Sequence, residues 1–360
     1  MRTTYWKVDP RADENDPSVR EAGALLAAGA VVAFPTETVY GLGANALSDE
    51  AVEAVFRAKG RPADNPLIVH IAERAQLDAL AADVPAVARR LIESFWPGPL
   101  TLVLPARPGA VSPRSTAGLP TIAVRMPDHP VARGLIRAAG CPIAAPSANI
   151  SGRPSPTTAA HVRDDLDGKI AGVLDAGPAG VGLESTVAEI VGGRIHILRP
   201  GGVTAEQLRW VGAEVAGDAA GLAPGGRPEG PDAASAPRSP GVKYAHYAPR
   251  GELTVVAGPA QTVEAWIRER VGQAKRAGER TGVIAVRERA ETYRDVADVV
   301  VPCGRAGDSA SAARELYAAL RRFDAEGATR IWAEAYPSEG LGEAVMNRLL
   351  KAAGHRFVRL

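Results

Sequence analysis

Short apolar runs alternate with amphipathic segments from about residue 19 to residue 211. Helical spacing of the apolar residues marks segments 49–59, 74–95 and 128–139. The apolar runs have the length and the β-branched content of strands. They lie at residues 30–34, 66–71, 100–106, 121–126, 141–147, 172–177, 185–191 and 194–200. This alternation predicts an α/β domain over residues 1–211, with some antiparallel pairing in its sheet.

The pattern is then interrupted by a segment that lacks large apolar side chains. Residues 212–250 are dominated by Gly, Pro and Ala up to about residue 241, so they cannot bury a core and are predicted to form a linker. The linker ends in KYAHYAP, and two tyrosines and a histidine within four residues are unusual for a passive tether. We therefore expect this end of the linker to dock onto another surface.

Residues 251–360 form a second alternating unit. Strands are predicted at ELTVVAG, TGVIAV, ADVVV and RIWAEAY, and helices near 260–279, 309–327 and 342–354. This order predicts a small Rossmann-like domain with a parallel sheet. The first predicted strand is not followed by GxGxxG, so a bound dinucleotide is not expected.

The net charge gives no reason to expect a nucleic-acid or membrane partner. The 360 residues contain 42 Lys and Arg against 41 Asp and Glu, so no strong field would draw the protein onto a polyanion. The N-terminus lacks a secretory pattern, and the longest apolar run, residues 22–34, is short for a membrane span. Two distant cysteines without CxxC spacing suit a reducing compartment. We interpret the protein as cytoplasmic.

Polar residues follow the first predicted strand in AFPTETVYGLGANA, residues 33–46. Polar groups at the end of a strand, on a loop loosened by glycine, are typical of ligand sites in α/β sheets because the backbone can approach a ligand closely there. A tight turn is the alternative, since Gly and Thr also favour turns.

A second dense segment, KGRPADNPLIVH, spans residues 59–70. Lys59 and Arg61 supply cations, Asn65 supplies an amide and His70 an imidazole. Together these groups suit a phosphate-bearing substrate. The alternative is a solvated helix end that stops at the glycine after Lys59, with a histidine that is merely structural.

Two later loops are rich in hydroxyl groups. APSANISGRPSPT, residues 145–157, places Ser147, Asn149 and Ser155 after a predicted strand, and ESTV, residues 184–187, follows a glycine-rich bend. Hydroxyls and backbone N–H groups in such loops can bind anionic oxygens. Turns and β-hairpins would use the same residues.

Arginines occur on two otherwise apolar strands. Arg125 lies in TIAVRM and Arg199 in RIHILRP. A buried guanidinium needs an anionic partner, because an unpaired buried charge is very costly. The partner is either a substrate anion or a carboxylate of the protein itself.

Several catalytic motifs are absent from the sequence, namely GxxxxGK[ST], HExxH, GxSxG and the kinase set. The six histidines are scattered without metal-ligand spacing, so no metal site made of protein side chains is predicted. An enzyme of this kind would bind anions without a standard module and without a covalent nucleophile.

Taken in order, the motifs of the first domain are PTETVYGLGANA, KGRPADNPLIVHI, FWPGPLTLVL, AVRMPDHP, APSANISGRPSPT, ESTV and ILRPGG. This order resembles that of a YrdC-type domain. SPGVKYAHYAP before a small α/β unit resembles the two-domain branch of the threonylcarbamoyl-AMP synthases. The resemblance covers essentially the whole chain. It implies a YrdC-like twisted mixed sheet with helices, followed by a smaller Rossmann-like α/β domain at residues 251–360.

This resemblance also implies an activity. The family's enzymes are nucleotidyltransferases that condense L-threonine, bicarbonate and ATP into threonylcarbamoyl-AMP and release pyrophosphate, with Mg²⁺ accompanying the ATP. The product would feed threonylcarbamoyladenosine modification of tRNA next to the anticodon, through downstream transferase machinery.

Site residues are implied by the same resemblance. Those expected to bind threonine are Thr36, Tyr40, His70, Arg125, Ala145 and Ser185. Those expected to bind ATP are Arg61, Asn65, Thr121, Ser147, Ser155, Arg199 and Tyr247. The catalytic set near the phosphates and carbonate is Lys59, Arg61, Ser147 and Asn149. Arg125 is expected to pair with the threonine carboxylate, and Tyr247 to reach over the nucleotide from the linker.

Other interpretations stay open at this point. A double-stranded RNA or tRNA-binding module without catalysis would need a basic face. A hydrogenase-maturation carbamoyltransferase also contains a YrdC-type domain, but it carries CxxC zinc motifs and an acylphosphatase module, and this sequence has neither. The C-terminal domain could also have a regulatory role, such as sensing a nucleotide.

Overall fold

A computed structural model describes residues 2–216 and 247–360. Contacts divide them into a first unit, residues 2–151 and 155–216, and a second unit, residues 247–360 together with 152–154. Most of the predicted linker, residues 217–246, lies outside the described part. The first residues of the predicted linker, 212–216, lie in the first unit. The N–H of Ile195 donates to Glu214 O, and the N–H of Ala216 donates to Ile195 O.

The first unit contains all eight strands predicted for it and further elements that were not predicted. Its strands are β1 (Thr4–Lys7), β2 (Val32–Phe34), β3 (Gly41–Asn45), β4 (Ile68–His70), β5 (Leu100–Pro105), β6 (Thr121–Arg125), β7 (Ile143–Ala144), β8 (Gly172–Asp175), β9 (Thr186–Val191) and β10 (Arg194–Arg199). Its helices are α1 (Pro17–Ala27), α2 (Asp49–Lys59), α3 (Leu77–Leu80), α4 (Ala86–Phe95), α5 (Pro113–Thr116), α6 (Pro130–Ala139), α7 (Ala159–Leu166) and α8 (Ala205–Arg209), with a 3₁₀ turn at Arg74–Gln76. The elements that the hydrophobic pattern missed are β1, β3, α1, α5, α7 and α8.

The ten strands form one mixed sheet in the order β1-β8-β2-β3-β7-β4-β6-β5-β9-β10. The central strands β4 and β6 are parallel to each other, whereas β7 is antiparallel to β4 and β5 is antiparallel to β6. The mixed sheet with some antiparallel pairing that the sequence predicts is therefore confirmed.

Local sequence explains where the helices begin and end. The Ser48 side chain accepts a hydrogen bond from Ala51 N at the start of α2, and Gly60 ends that helix with φ 61°. The predicted helix at 74–95 is instead divided into a 3₁₀ turn, α3 and α4, with Pro85 immediately before α4. Proline has no N–H to donate and clashes with the preceding turn, so one continuous helix could not form there.

Strand β3 corrects the prediction of a glycine-loosened loop after β2. Gly41 and Gly43 lie within β3, which pairs with both β2 and β7. A Cβ on Gly43 would lie 2.9 Å from the Phe34 ring and 2.9 Å from Ile143 Cγ2. The glycines are therefore needed because neighbouring side chains lie directly over the strand, and not because the backbone must turn.

Apolar packing distinguishes the two faces of the central strands. Ile68, Val103, Ala123 and Val187 form a small cluster of their own. The residues next to them along each strand, among them Val124, belong to the largest apolar core. Because side chains alternate along a strand, the small cluster marks one face of the sheet that carries few apolar side chains. This face is free to carry polar groups.

The second unit is a small parallel α/β domain, as predicted. Its strands are β11 (Glu252–Ala257), β12 (Thr281–Ala285), β13 (Val299–Pro302), β14 (Arg330–Glu334) and β15 (Phe357–Arg359). Its helices are α9 (Ala260–Arg276), α10 (Arg287–Ala290), α11 (Ser309–Glu326) and α12 (Leu341–Ala352), with a 3₁₀ turn at Glu291–Tyr293. All strand pairs are parallel, in the order β13-β12-β14-β11-β15. In both described ranges, no helix has the length and apolar character needed to cross a bilayer.

We expect Gly43→Ala to lower the free energy of unfolding of the first unit by about 1–3 kcal/mol, because the added methyl group would overlap the side chains packed on β3. Gly272→Ala is the matched control. Gly272 lies inside α9, where a Cβ would meet only the end of the Arg276 side chain, so this change should stabilise the second unit by up to about 1 kcal/mol. Urea denaturation followed by circular dichroism measures both. A neutral Gly43→Ala would contradict the close packing over β3.

Candidate active site

The candidate site lies on the face of the sheet marked by the small apolar cluster. β4 and β6 pair in parallel register with His70 opposite Arg125 and Ile68 opposite Ala123, so these four side chains point to the same face. His70 and Arg125 lie within β4 and β6, as the predicted strands 66–71 and 121–126 indicate. The register adds that both side chains share a face with the apolar side chains of Ile68 and Ala123.

Arg125 has three polar neighbours on this face. Its guanidinium forms an ion pair with Glu37, with Nη2 2.5 Å from Oε1, and Nη1 donates to Thr38 Oγ1 at 2.9 Å. Nε donates to the carbonyl oxygen of Gly98 at 3.3 Å. Arg125 is only 4% exposed. The anionic partner required for a buried arginine is therefore a carboxylate of the protein, Glu37, which the sequence analysis did not assign.

A chain of hydroxyl groups continues from Arg125 into the segment before β3. Thr36 Oγ1 lies 2.8 Å from Thr38 Oγ1 and donates to the Val39 carbonyl at 2.7 Å. The Tyr40 hydroxyl donates to the Gly177 carbonyl at 2.6 Å, and burial raises the pKa of this phenol. Thr36 thus lies beside the Arg125 group, while Tyr40 is a protonated, fully buried residue of the surrounding wall.

His70 is a neutral imidazole at neutral pH. Complete burial and the nearby Arg125 charge lower its pKa from 6.5 to about 3. Nδ1 lies 3.1 Å from the Ile68 carbonyl, and the ring packs edge-on against Phe34 with 6.1 Å between the ring centroids. Ala145 follows β7 on the neighbouring side of β4 and donates its N–H to Ile68 O at 2.9 Å.

A second group of polar residues extends from β5 to β10. Ser185 Oγ lies 2.8 Å from Thr101 Oγ1. The Arg199 guanidinium donates from Nε and Nη2 to the Ser185 carbonyl, and from Nη2 to Ser185 Oγ at 3.2 Å. Arg199 therefore fixes the position of Ser185, which the sequence assigned to the threonine pocket.

Lys59 organises the hydroxyl-rich loop after β7. Its ammonium group donates to the carbonyl oxygens of Ser147 at 2.5 Å and Asn149 at 2.6 Å. The Ser147 hydroxyl in turn donates to Asn149 Oδ1 at 2.6 Å. Gly60 does end the helix, but Lys59 is 2% exposed, so the alternative of a solvated helix end is wrong for this side chain.

The remaining predicted nucleotide residues lie in the segments that border this loop. Arg61 donates from Nη2 to the Pro66 carbonyl at 2.9 Å. Asn65 is 1% exposed, and its Oδ1 finds no hydrogen-bond donor in the described part of the chain. Ser155 donates its hydroxyl to Glu184 Oε1 at 2.5 Å, and Thr121 is the first residue of β6.

Tyr247 belongs to the second unit. Its ring lies 5.3 Å from the Tyr317 ring between centroids, and the Arg348 guanidinium lies 5.6 Å from its centroid. Tyr247 is 5% exposed and has a positive φ of 68°. The end of the linker is thus packed at this residue, while a role over the nucleotide stays a prediction.

Comparisons with known proteins agree with this fold. A family model named Sua5_yciO_yrdC and described as telomere recombination matches residues 24–201. A second model, described as the threonylcarbamoyl-AMP synthase C-terminal domain, matches residues 203–354. The chain thus combines a YrdC-type domain with a second domain specific to one class of enzyme.

Relatives of known name cover the whole chain. A threonylcarbamoyl-AMP synthase of Bacillus subtilis is 50% identical over 100% of both chains. One of Pyrococcus abyssi is 47% identical over 95% of this chain and 96% of its own length. The structure of P. abyssi Sua5 complexed with L-threonine matches with a TM-score of 0.89 and 44% identity, over 99% of this chain and 100% of that one. The chain belongs to the threonylcarbamoyl-AMP synthase family.

The low pKa of His70 makes the first unit sensitive to acid. A histidine in the unfolded chain has a pKa of about 6.5, whereas the pKa of His70 in the folded protein is about 3. Between these values the unfolded state binds more protons, so the free energy of unfolding falls as pH falls below about 6.5, by up to about 1.4 kcal/mol per unit.

His70→Gln should remove this contribution and give a shallower pH dependence of stability. Urea denaturation of the first unit between pH 7 and pH 5 measures the two slopes. The same slope in both proteins would mean that His70 is already protonated, or is not buried, in the folded state.

Proposed function

We propose that the first unit condenses L-threonine, bicarbonate and ATP into threonylcarbamoyl-AMP and releases pyrophosphate. The observation that carries this proposal is the buried cation of Arg125, set beside hydroxyl groups and an apolar floor on one face of the sheet. This arrangement suits a small zwitterion with a methyl and a hydroxyl group. The relative from P. abyssi, 44% identical, is described as complexed with L-threonine.

Each group around the proposed threonine has a suitable chemical role. Arg125 would bind the carboxylate through charge-assisted hydrogen bonds. The Thr36 and Ser185 oxygens would bind polar atoms of the substrate, and the neutral His70 would add a hydrogen-bonding nitrogen without a second positive charge. Ile68 and Ala123 would contact the methyl group.

The nucleotide would lie near the loop that Lys59 organises. Arg61 and Arg199 are the cations proposed for its phosphates, with Asn65, Thr121, Ser147 and Ser155 as polar contacts. Holding the three reactants in one orientation would lower the barrier by several kcal/mol, up to about 7–11 at the extreme. No side chain needs to form a covalent bond, because the carbamate oxygen attacks the α-phosphorus directly.

Mg²⁺ is proposed only as the ion that accompanies ATP. Within the described ranges no group of three or more His, Cys, Asp or Glu side chains could hold a metal ion. Mg²⁺ is commonly bound through phosphate oxygens and water with few protein ligands, so ATP itself would be its main ligand. When bound, the ion would neutralise charge on the phosphates.

The product is proposed to serve threonylcarbamoyladenosine modification of tRNA in the cytoplasm, through a separate transferase. Pyrophosphate release from ATP and Mg²⁺ tests the activity, with threonine and bicarbonate each omitted in turn and the adenylate detected by mass spectrometry. Release that needs both substrates would establish the synthase. Folded protein that forms no adenylate, but binds double-stranded RNA in a salt-dependent manner, would favour the RNA-binding alternative.

Arg125→Ala should raise the KM for threonine by at least about 100-fold, since truncating a buried charge partner costs about 3–5 kcal/mol. The affinity for a non-hydrolysable ATP analogue should change much less. Arg194→Ala is the control, because Arg194 pairs with Glu214 and is 59% exposed. Steady-state kinetics and calorimetry measure the two effects. Lost nucleotide affinity with an unchanged KM for threonine would overturn the assignment of Arg125 to the carboxylate.

Tyr247 is proposed to contribute to the nucleotide site. Tyr247→Ala should then lower turnover, while Tyr247→Phe, which keeps the ring, should retain most of it. Denaturation of the second unit separates this role from the packing against Tyr317. Loss of stability in Tyr247→Ala, with turnover intact at temperatures where it is folded, would leave Tyr247 a packing residue only.

A further inference from the structure

Several buried polar atoms without hydrogen-bond partners lie together next to Arg125. They are Oε1 and Oε2 of Glu37, Nη2 of Arg125 and Nδ1 of His129, none of which has a hydrogen bond to any residue the structure describes. His129 precedes α6 and lies within electrostatic range of Glu37. Burying a polar atom without a partner destabilises the folded chain. Such a concentration is typical of a place where a bound molecule supplies the missing partners.

The Arg125–Glu37 ion pair leaves polar atoms of both side chains without hydrogen bonds. Nη2 of Arg125 and Oε1 of Glu37 are 2.5 Å apart, yet their relative orientation does not meet hydrogen-bond geometry, so both atoms also count among the unpartnered ones. Oε2 of Glu37 has no cation beside it in the described ranges. The side chain of Glu37 is 13% exposed. Oε2 can therefore accept a bond from an additional donor while Oε1 stays beside Arg125.

We propose that Glu37 binds the α-ammonium group of threonine and accepts its proton, so that the free amine can attack bicarbonate. This inference rests on the proposed synthase function. In an α-amino acid the nitrogen is bonded to the carbon that carries the carboxylate. If Arg125 holds the carboxylate, a carboxylate at 2.5 Å from Arg125 lies close enough to receive the ammonium. The Arg125–Glu37 pair thus matches both charges of the zwitterion.

The proposed step is balanced. Glu37 takes one proton from the ammonium and becomes a carboxylic acid, which leaves a neutral amine. The amine nitrogen forms a bond to the bicarbonate carbon, and the C–OH bond of bicarbonate breaks. The hydroxyl leaves with a second proton from nitrogen as water, and the carbamate remains. Glu37 then returns its proton to solvent before the next turnover.

The two histidines near the Arg125–Glu37 pair stay neutral between pH 7 and 9. His70 protonates only near pH 3, and burial lowers the pKa of His129 below its usual value. The other charged residues here are Arg125, which pairs with Glu37, and Asp128, which precedes His129. A pH profile above neutrality therefore reports on the substrate amine.

Glu37→Gln tests the proposal, since glutamine keeps the size of the side chain but cannot accept the proton. At pH 7 we expect kcat to fall by about 10²- to 10⁴-fold, as is typical for loss of a general base, with a smaller change in the KM for threonine. The loss should shrink roughly tenfold per pH unit toward the pKa of the threonine ammonium, because the amine then deprotonates in solution. The carboxylate of threonine raises this pKa above the value of about 8 for peptide α-amines. The wild type should show no such rise.

Glu73→Gln is the charge-matched control, because Glu73 is 55% exposed and forms its ion pair with Arg137. Threonine and 3-hydroxybutyrate, the same skeleton without the amine, are compared as ligands by calorimetry. Wild type should prefer threonine, and Glu37→Gln should lose most of this preference.

The outcomes separate this inference from the proposed function. If wild type fails to need threonine and bicarbonate for pyrophosphate release, the synthase function itself fails. If wild type needs both, but Glu37→Gln keeps its kcat at pH 7, Glu37 is not the base. A raised KM with a pH profile parallel to that of wild type would make Glu37 only a positioning residue for Arg125, which also overturns the proposal.

Discussion

The burial of one guanidinium group constrains much of the first unit. Arg125 ends β6, and its in-register pairing with β4 places it beside His70. Arg125 is only 4% exposed, and a charge buried this deeply without a partner would cost several kcal/mol. Glu37 and Thr38 supply the charge and one hydrogen-bond acceptor. The path of the chain between β2 and β3 is therefore fixed by this polar interaction together with the burial of Val39 and Tyr40.

The same guanidinium determines the character of its surroundings. Its charge, together with burial, keeps His70 neutral, so His70 adds no second positive charge beside the Arg125–Glu37 pair. The Arg199 guanidinium donates hydrogen bonds to the carbonyl and hydroxyl of Ser185. Two arginines that look alike in the sequence thus have different neighbours: Arg125 pairs with Glu37, and Arg199 holds Ser185 in place.

The sequence predicted the main strands, because apolar runs such as 100–106 and 121–126 are long and uninterrupted. It missed β3, since Gly41 and Gly43 favour loops locally and only the packing of Phe34 over them shows that they belong to a strand. The register between β4 and β6 could not be predicted either, because nothing in the sequence shows that His70 lies opposite Arg125. Hence His70 and Arg125 were each expected on a strand, but the sheet face that they share was not predicted.

Glu37 could have been found from the sequence. The argument that Arg125 needs an anionic partner was available, and Glu37 stands in the polar segment already singled out after β2. What the sequence could not show is the distance between them, which depends on the order of β2, β3, β7, β4 and β6 in the sheet. The sequence thus shows which acidic residues could pair with a buried arginine. The order of the strands in the sheet decides which of them lies close enough to do so.

Lys59 shows the same dependence at the other side of the site. A lysine at the end of a helix is normally solvated, yet here the β3–β7–β4 arrangement brings the 147–149 carbonyls over it. Three rotatable donors on a long stem suit two converging carbonyls, whereas a planar guanidinium would need a different spacing. The type of cation at this position therefore follows from the loop it must hold, because its hydrogen bonds keep the backbone of Ser147 and Asn149 in place.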